Sequence, residues 1–361
     1  MEIQWLKNLV EQLKIKIDFR RTNSPSLRAK NVAVVIHEGL KYSETKDLVN
    51  SVIDQQLVGL KEEAKAVFEK RVEEFEGLLI GKMGKLSEEE MGKLKEPDTQ
   101  VALLEAVKTS GRKQDKTLRD LLANLVISRI QNEEPGKEEL KNIVYNEAIS
   151  TIGKLTTDQL KIITLCYIIR YTANNAITSW GTLEVFLDKH VKPFLGFKNT
   201  NAEFQHIEYA GCGSLGVGSV GVVKAYRDRY SFLFADVIER GRIDNLEIPV
   251  EVKREILVLD TSGSGYLLRV RNKTELDKYL DGKGLEEQKR NQLIALYDTS
   301  IKNEGGVRED LGKITIAEQM IQLWEKSNIS HLSLTSVGIA IATSYFEQVT
   351  GEKVDIDIWI N

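Results

Sequence analysis

The stretch that decides the fold is Asp158-Gln-Leu-Lys-Ile-Ile-Thr-Leu-Cys-Tyr-Ile-Ile-Arg-Tyr171. Its apolar residues lie around nearly the whole helical circumference, which is typical of a helix buried at the centre of a core. Thr156 or Thr157 is suited to cap its N-terminus. Its strongly apolar run, Ile162 to Ile169, is far shorter than the roughly 20 residues that a helix needs to cross a bilayer. The stretch therefore predicts the central helix of a helical core and no membrane span.

A second long helix is predicted from about Ser43 to Lys82, because apolar residues recur there every three or four positions. The stripe consists of Val49, Ile53, Leu57, Leu60, Ala64, Phe68, Val72, Phe75 and Leu79. Two interpretations fit this pattern: the helix docks on the chain's own core, or the stripe joins two chains as in a coiled coil. The second interpretation predicts a homo-oligomer, most simply a dimer, with an interface formed by Leu57, Leu60, Phe68 and Phe75.

The remaining sequence predicts further helices and, after about residue 175, a mixed region. Asp98, which follows Pro97, is expected to cap a helix. Strands are expected at 32–36, 256–259, 266–270 and 354–360, the last from strict alternation of apolar and polar residues. Helices are expected at 273–299, 314–326 and 337–348.

These patterns together predict a mainly α protein with a smaller α+β part. We expect a helical core with a long N-terminal helix, and a winged-helix-like arrangement is one option for that core. Four parts are predicted: an N-terminal arm with the long amphipathic helix at 1–85, the helical core at 86–215, a mixed α+β insertion at 216–330, and a C-terminal helix and strand at 331–361.

The composition is that of an ordinary globular protein, with 42% hydrophobic and 29% charged residues and a net charge of −4. Nucleic-acid-binding proteins usually carry a basic surplus, because phosphate neutralisation supplies much of their affinity, so nucleic acid is a disfavoured partner. The two cysteines, Cys166 and Cys212, cannot build a disulfide framework and fit a reducing cytoplasm. Charges interrupt the apolar pattern of the N-terminus, which therefore lacks the apolar core of a signal peptide.

The segment Gly211-Cys-Gly-Ser-Leu-Gly216 matches the G-x-G-x-x-G pattern of dinucleotide-binding proteins. That pattern needs a buried strand before it, and the preceding residues 205–210 are too polar for one, so we predict no cofactor. His206 and Cys212 fall short of the four paired ligands that zinc usually requires, so no metal site is predicted. A Cys212 nucleophile with His206 as its base is an alternative to the simpler interpretation that Cys212 is a small buried residue.

A series of short motifs runs through the helical part of the chain. In order they are Pro97-Asp-Thr-Gln100, Leu121-Leu122, Ser128-Arg-Ile130, Asn146-Glu-Ala-Ile149, Lys154-Leu-Thr156, Gln159-Leu160, Gln205-His-Ile-Glu-Tyr-Ala-Gly-Cys212 and Leu334-Thr-Ser-Val-Gly-Ile-Ala-Ile341. Together they resemble the uncharacterised bacterial LPO/Vpar family. Their layout is also similar to that of abortive-infection proteins of the alpha type, which are linked to defence against phages.

The resemblance implies a cytoplasmic antiviral-defence protein that works by association with a phage or host protein and not by catalysis. The motif at 205–212 is the most specific of the series, so His206, Glu208, Tyr209 and Cys212 form the candidate functional cluster. Two alternatives are a nucleic-acid-binding regulator and an enzyme that uses Cys212 and His206. In the first alternative, the cluster lies near the recognition-helix position of a winged-helix-like unit.

Overall fold

The computed structural model describes residues 62–132, 139–246 and 248–359. Within these residues sixteen α-helices dominate and five short strands form small antiparallel sheets, which confirms a mainly α protein with a small α+β part. The helices are α1 (Glu62–Met83), α2 (Glu88–Gly92), α3 (Pro97–Arg112), α4 (Lys116–Gln131), α5 (Glu139–Ile152), α6 (Thr157–Tyr171), α7 (Trp180–Phe186), α8 (Asn201–Tyr209), α9 (Val222–Arg229), α10 (Arg240–Asp244), α11 (Val250–Ile256), α12 (Lys273–Asp281), α13 (Glu287–Ser300), α14 (Glu304–Gly312), α15 (Thr315–Glu325) and α16 (Ser336–Thr350). The strands are β1 (Gly213–Leu215), β2 (Ile238–Glu239), β3 (Leu257–Leu259), β4 (Gly265–Leu268) and β5 (Leu332–Leu334).

The chain is divided into two compact units. Unit 1 consists of the chain up to Thr157 together with Ser336–Asn361, and unit 2 consists of Asp158–Thr335. Unit 2 is therefore inserted, in sequence, between the two described parts of unit 1. The four-part division at residues 85, 215 and 330 stays a prediction.

Unit 1 is a bundle in which α1 packs on α3 and α4, while α5 packs on α3, α4 and α16. All residues of α16 from Gly338 to Phe346 are buried. A helix that is buried on every side lies in the interior of its bundle. The helix expected at 337–348 is thus confirmed, and it supplies part of the core of unit 1.

The described part of the long amphipathic helix forms α1, and its apolar stripe faces this bundle. Phe68, Val72, Phe75 and Leu79 are all buried within unit 1. Because α3 and α4 of the same chain pack on α1, docking on the chain's own core accounts for the stripe from Phe68 onward, whereas Ala64 is exposed. Leu57 and Leu60 lie outside the described residues. The homo-oligomer stays a prediction.

Three of the sequence motifs meet in one polar network of unit 1. The Asp98 carboxylate in α3 accepts hydrogen bonds from Arg129 Nη2 at 2.8 Å and from Asn146 Nδ2 at 2.7 Å. Partial burial opposes ionisation of Asp98, but the hydrogen bonds from Arg129 and Asn146 outweigh it and lower the pKa of this carboxyl. The network joins α3, α4 and α5, and the Arg129 side chain within it is almost completely buried. The polar residues of these three motifs therefore have a structural role.

The stretch that decides the fold forms α6, and every residue from Ile162 to Ile169 is buried in it, as predicted. The last two turns of α6 bind strand β5. The Leu332 carbonyl oxygen accepts hydrogen bonds from Cys166 Sγ at 3.3 Å and from the Arg170 guanidinium. In the same strand the Leu334 N–H donates to the Tyr171 hydroxyl at 2.8 Å. Side chains of α6 thus satisfy the backbone groups of β5 that face away from its partner strand.

That partner is β1, which pairs with β5 in antiparallel register, with Gly213 opposite Leu334. The pair extends beyond the two strands, since the Gly216 N–H donates to the His331 carbonyl at 3.0 Å. The pairing brings together the two ends of the long segment between β1 and β5. This segment, the excursion of unit 2, therefore leaves the strand pair and returns to it.

Residues 235–301 of that excursion have a sheet and an apolar core of their own. The sheet has the strand order β2-β4-β3, and its strands β3 and β4 confirm the strands expected at 256–259 and 266–270. The helices α12 and α13 contribute Leu276, Leu280 and Leu293 to the core of this module. The expected mixed α+β region is therefore present here.

Two expected helix boundaries were wrong. Asp98 is not the N-cap residue, because α3 already begins at Pro97: Glu96 occupies the N-cap position, without a capping hydrogen bond from its side chain, and Pro97 is the first helical residue. Proline suits that position, where its missing N–H would have no partner in the helix. The single helix expected at 273–299 is two helices, α12 and α13, because Gly284 adopts a φ of +59° between them. Glycine adopts this left-handed conformation at little steric cost, so the chain can turn at Gly284 between the two helices.

The strand expected at 354–360 was also wrong. Its middle forms a 3₁₀ helix, Ile356–Ile358, which contacts α16. Ile356 is buried there, so the alternation that suggested a half-buried strand instead places one apolar side chain against a helix. A short strand is stable only when a neighbouring strand completes its hydrogen bonds.

Close packing of α1 on α3 predicts the effect of one small substitution. A β-carbon at Gly111 would lie 2.4 Å from the Phe68 ring, so Gly111→Ala should push this buried ring aside. Overpacking of this kind destabilises by about 1–3 kcal/mol, which urea denaturation would measure. Gly77→Ala is the matched control, because its β-carbon meets nothing within 4 Å in the middle of α1. That control should stabilise the protein by about 0.5–1 kcal/mol. Equal effects of the two substitutions would contradict the packing described here.

Candidate functional site

The most specific motif ends helix α8 and begins strand β1. The Cys212 N–H donates to the Ile207 carbonyl at 3.1 Å and the Gly211 N–H donates to the Glu208 carbonyl at 2.9 Å, which is the pattern of a Schellman helix end. Gly211 has the φ of +79° that this end requires. The first glycine of the G-x-G-x-x-G segment therefore stops a helix.

The second glycine of the segment permits strand pairing. A β-carbon at Gly213 would lie 2.8 Å from the Ser333 carbonyl oxygen of the opposite strand. In this chain a helix precedes the glycines and a strand follows them, whereas the dinucleotide-binding motif has the strand first and the helix after. Both glycines are thus explained by the local fold.

The four predicted site residues lie along α8 and β1, in different environments. His206 Nδ1 is 3.1 Å from the side-chain nitrogen of Gln159 in α6. The Glu208 carboxylate accepts the Leu215 N–H at 3.1 Å and so satisfies the outer edge of β1. Tyr209 is 81% exposed, and its ring centre is 5.9 Å from that of His206. Cys212 is completely buried, and its carbonyl accepts the Thr335 N–H at 3.1 Å.

These environments bear on the chemistry that the four residues could perform. A catalytic thiol must meet its substrate, and the buried Cys212 side chain has no access to solvent. His206 already uses Nδ1 in its contact with Gln159. Within the described residues, no group of three or more His, Cys, Asp or Glu side chains is placed to hold a metal ion. Glu208 and Tyr209 are the exposed members of the cluster, and Tyr209, which is 81% exposed, offers most of its side chain to a partner.

The nucleic-acid-binding alternative predicts that α8 lies near the recognition-helix position of a winged-helix-like unit. The sequence of α8, Asn-Ala-Glu-Phe-Gln-His-Ile-Glu-Tyr, contains two glutamates and neither lysine nor arginine. Binding to DNA depends on cationic side chains that neutralise phosphates. The exposed face of α8 therefore does not support a role of this helix in binding DNA.

A pocket that sequence analysis missed lies at the end of the glycine-rich segment. It has a volume of about 540 Å³ and is open to solvent. Its lining comes from the start of α9, the start of α14, the end of α15 and the residues before β5: Ser219, Val220, Gly221, Val222, Val223, Glu304, Gly305, Arg308, Trp324, Glu325, Ser330 and His331. The outermost of these four segments are more than a hundred residues apart in sequence, and no short motif joins them.

Backbone hydrogen bonds hold the glycine-rich wall of the pocket. The Val220 N–H donates to the Ser330 carbonyl at 2.9 Å, and the Val220 carbonyl accepts the indole N–H of Trp324 at 2.7 Å. Trp324 itself is 1% exposed, so its ring anchors this wall to the core of unit 2. The backbone of this wall is therefore held in place by hydrogen bonds, and it follows directly after strand β1 of the β1–β5 pair.

The charges of the pocket centre on Arg308. Its guanidinium binds both carboxylate oxygens of Glu318, with Nη2 3.0 Å from Oε1, and its Nε is 3.8 Å from Glu325 Oε1. The hydrogen bonds from Arg308, and then that from Gln322, lower the pKa of Glu318 to about 2. This arginine is thus engaged by carboxylates of its own chain.

Comparison with known proteins gives a family and nothing more detailed. A family model described as “:-like” matches residues 39–360 of the chain. That description names no activity, ligand or partner. No curated protein and no solved structure matches the chain. Among the described residues, no helix is both long and apolar enough to span a membrane.

The Ser333 carbonyl oxygen lies so close to Gly213 that we expect Gly213→Ala to weaken the β1–β5 pair. The added methyl group would press on a backbone oxygen, which cannot rotate away as a side chain can. We expect a loss of about 1–3 kcal/mol in the free energy of unfolding, measured by urea denaturation followed by intrinsic fluorescence. Gly218→Ala is the control, since a β-carbon there meets nothing within 4 Å. If both variants matched the unmodified protein, the register described here would be wrong.

The pairing of Glu318 with Arg308 predicts a pH dependence. Folding lowers the pKa of Glu318 from an ordinary value of 4.5 to about 2. Its contribution to stability is therefore complete above the unfolded-state value and is lost as the pH falls from there through the folded-state value. The stability difference between the unmodified protein and Glu318→Gln should be largest near neutral pH and shrink below a pH of about 4.5. Urea denaturation across that range would test it, and a difference that grew on acidification would contradict the ion pair.

Proposed function

The chain belongs to the family whose model spans residues 39–360, and we propose that it is a bacterial antiphage-defence protein that binds a partner protein. The proposal joins two supports. One is the resemblance of the motifs to abortive-infection proteins of the alpha type. The other is the pocket of unit 2, the observation that carries the binding role. In this proposal the protein acts in the cytoplasm and the partner is a phage or host protein.

The pocket supports a binding role because of how it is built. Its walls combine backbone, two hydroxyl groups, and charged and apolar side chains, as binding sites with a few convergent polar groups do. Val217, two residues before the lining begins, is fully exposed. An exposed apolar side chain beside a pocket is available for burial when a partner docks. The pocket and Val217 together offer a partner both a recess and an apolar contact.

The alternative functions have weaker support from the described residues. An enzyme using Cys212 and His206 would need the buried Cys212 thiol to become accessible. A nucleic-acid-binding regulator would need cationic side chains on α8, which carries none. Self-association through Phe68 and Phe75 would need these side chains to leave the core of unit 1.

The test is phage plaquing on four strains: cells without the gene, cells with the unmodified gene, cells with Ser219→Trp, and cells with Ser214→Trp. Ser219 lines the pocket, so a tryptophan there should fill it and abolish protection. Ser214→Trp is the matched control, because Ser214 is exposed on β1 outside the lining. We expect the unmodified gene and the control to reduce plaque numbers, and the Ser219 variant to behave like the deletion.

Two outcomes would contradict the proposal. If plaque numbers were the same with and without the gene across a broad panel of phages, the defence role would be wrong. If the gene protected cells and Ser219→Trp protected them equally well, the pocket would not be the working site. Circular dichroism of the purified variants would show that each one folds.

A further inference from the structure

The charges that line the pocket identify the kind of group it would take. Its charged residues are Glu304, Arg308 and Glu325. Arg308 already binds Glu318 through both terminal nitrogens, so its strong donors are not available to an anionic ligand. The two remaining lining charges are both carboxylates.

These two carboxylates are only weakly compensated. Glu325 is 3.8 Å from Arg308 Nε, beyond hydrogen-bond distance, and its side chain is 54% exposed. Glu304 is exposed at the start of α14, and no cation of the described residues lies within ion-pair distance of it. An anion entering the pocket would meet repulsion from both groups, whereas a cation would be attracted.

The rest of the lining fits a cation on a flexible apolar stem. The hydroxyl groups of Ser219 and Ser330 can accept hydrogen bonds, and the edge of Val223, which is 8% exposed, supplies a small apolar contact. The indole N–H of Trp324 is already used by the Val220 carbonyl and its side chain is buried, so the tryptophan supports the wall and donates nothing to a ligand. Long basic side chains bury their methylene stems on apolar surface and place their charge among acceptors.

We propose that this pocket binds an arginine side chain from a basic segment of the partner protein. A planar guanidinium has five N–H donors and pairs with carboxylates more specifically than a lysine ammonium does. Glu304 and Glu325 bind the guanidinium, and the two serine hydroxyls accept its remaining N–H groups. This inference rests on the proposed function, since it specifies the chemistry of the partner that the pocket receives.

The test is binding of a fluorescent peptide in which three arginines alternate with glycines, with both peptide ends blocked, measured by fluorescence anisotropy on the full chain. Replacing the two carboxylates together, Glu304→Gln with Glu325→Gln, should weaken binding by about tenfold or more, which corresponds to about 1.4 kcal/mol or more, because the guanidinium loses its charged hydrogen-bond acceptors. Glu309→Gln is the control for loss of a negative charge from α14: Glu309 is exposed and outside the lining, so this variant should leave binding unchanged.

Two further peptides and two small amines test whether the pocket binds a cation of a protein chain or a free amine. A peptide with glutamates in place of arginines should not bind, and one with lysines should bind more weakly. Spermidine and argininamide carry cations without a protein chain. If either bound as tightly as the arginine peptide, the assignment to a protein segment would be overturned in favour of a free amine.

Failure of this inference can be told apart from failure of the proposed function. Equal binding of the arginine peptide to all variants, or preference for the glutamate peptide, would overturn the arginine assignment. If Ser219→Trp still abolished phage protection in that case, the pocket would remain the working site with a different ligand. Glu304 and Glu325 are exposed, so their replacement should leave the unfolding midpoint unchanged, and urea denaturation would verify this.

Discussion

The constraint on which unit 2 depends is the position of the Leu332 carbonyl oxygen. Cys166 and Arg170 at the end of the buried helix α6 both donate to it, and this fixes β5 against the helix. Arg229 strengthens the same corner, because its guanidinium donates to the Ile169 and Arg170 carbonyls at the end of α6. A buried carbonyl left without donors would be costly, so these side chains determine where β5 can lie.

Fixing β5 in turn fixes the pocket. The β1–β5 pair continues through the Gly216–His331 hydrogen bond to the Val220–Ser330 hydrogen bond at the wall of the pocket. Pairing of β1 with β5 closes a long loop. The entropic cost of closing it is modest, since each doubling of loop length costs only about 0.6 kcal/mol. The helices α14 and α15 of this loop then supply the opposite wall. The pocket is therefore a consequence of strand pairing and not of a local motif.

Sequence periodicity predicted the elements that bury a continuous apolar surface. The all-round apolar pattern of 158–171 became the buried helix α6, and the described part of the 43–82 stripe became α1. Periodicity failed at 354–360, where no neighbouring strand is available among the described residues, and at 273–299, where a left-handed glycine interrupts the helix. It also could not indicate the pocket, because the pocket depends on residues that approach only through the β1–β5 pair. Of the predicted site residues, Glu208 proved to complete a strand edge, which depends on the position of Leu215 in the fold.

The glycine-rich segment separates into two parts by physical cause. Gly211 ends a helix with a positive φ, and Gly213 is needed because a β-carbon would strike the opposite strand. Gly216, Gly218 and Gly221 have neither constraint: a β-carbon at each would meet nothing closer than 3.8 Å. Steric demands of the fold therefore do not account for glycine at these three positions, which lie in or beside the wall of the pocket. Under the proposed binding role, a wall without side chains at these positions would leave room for the bound partner.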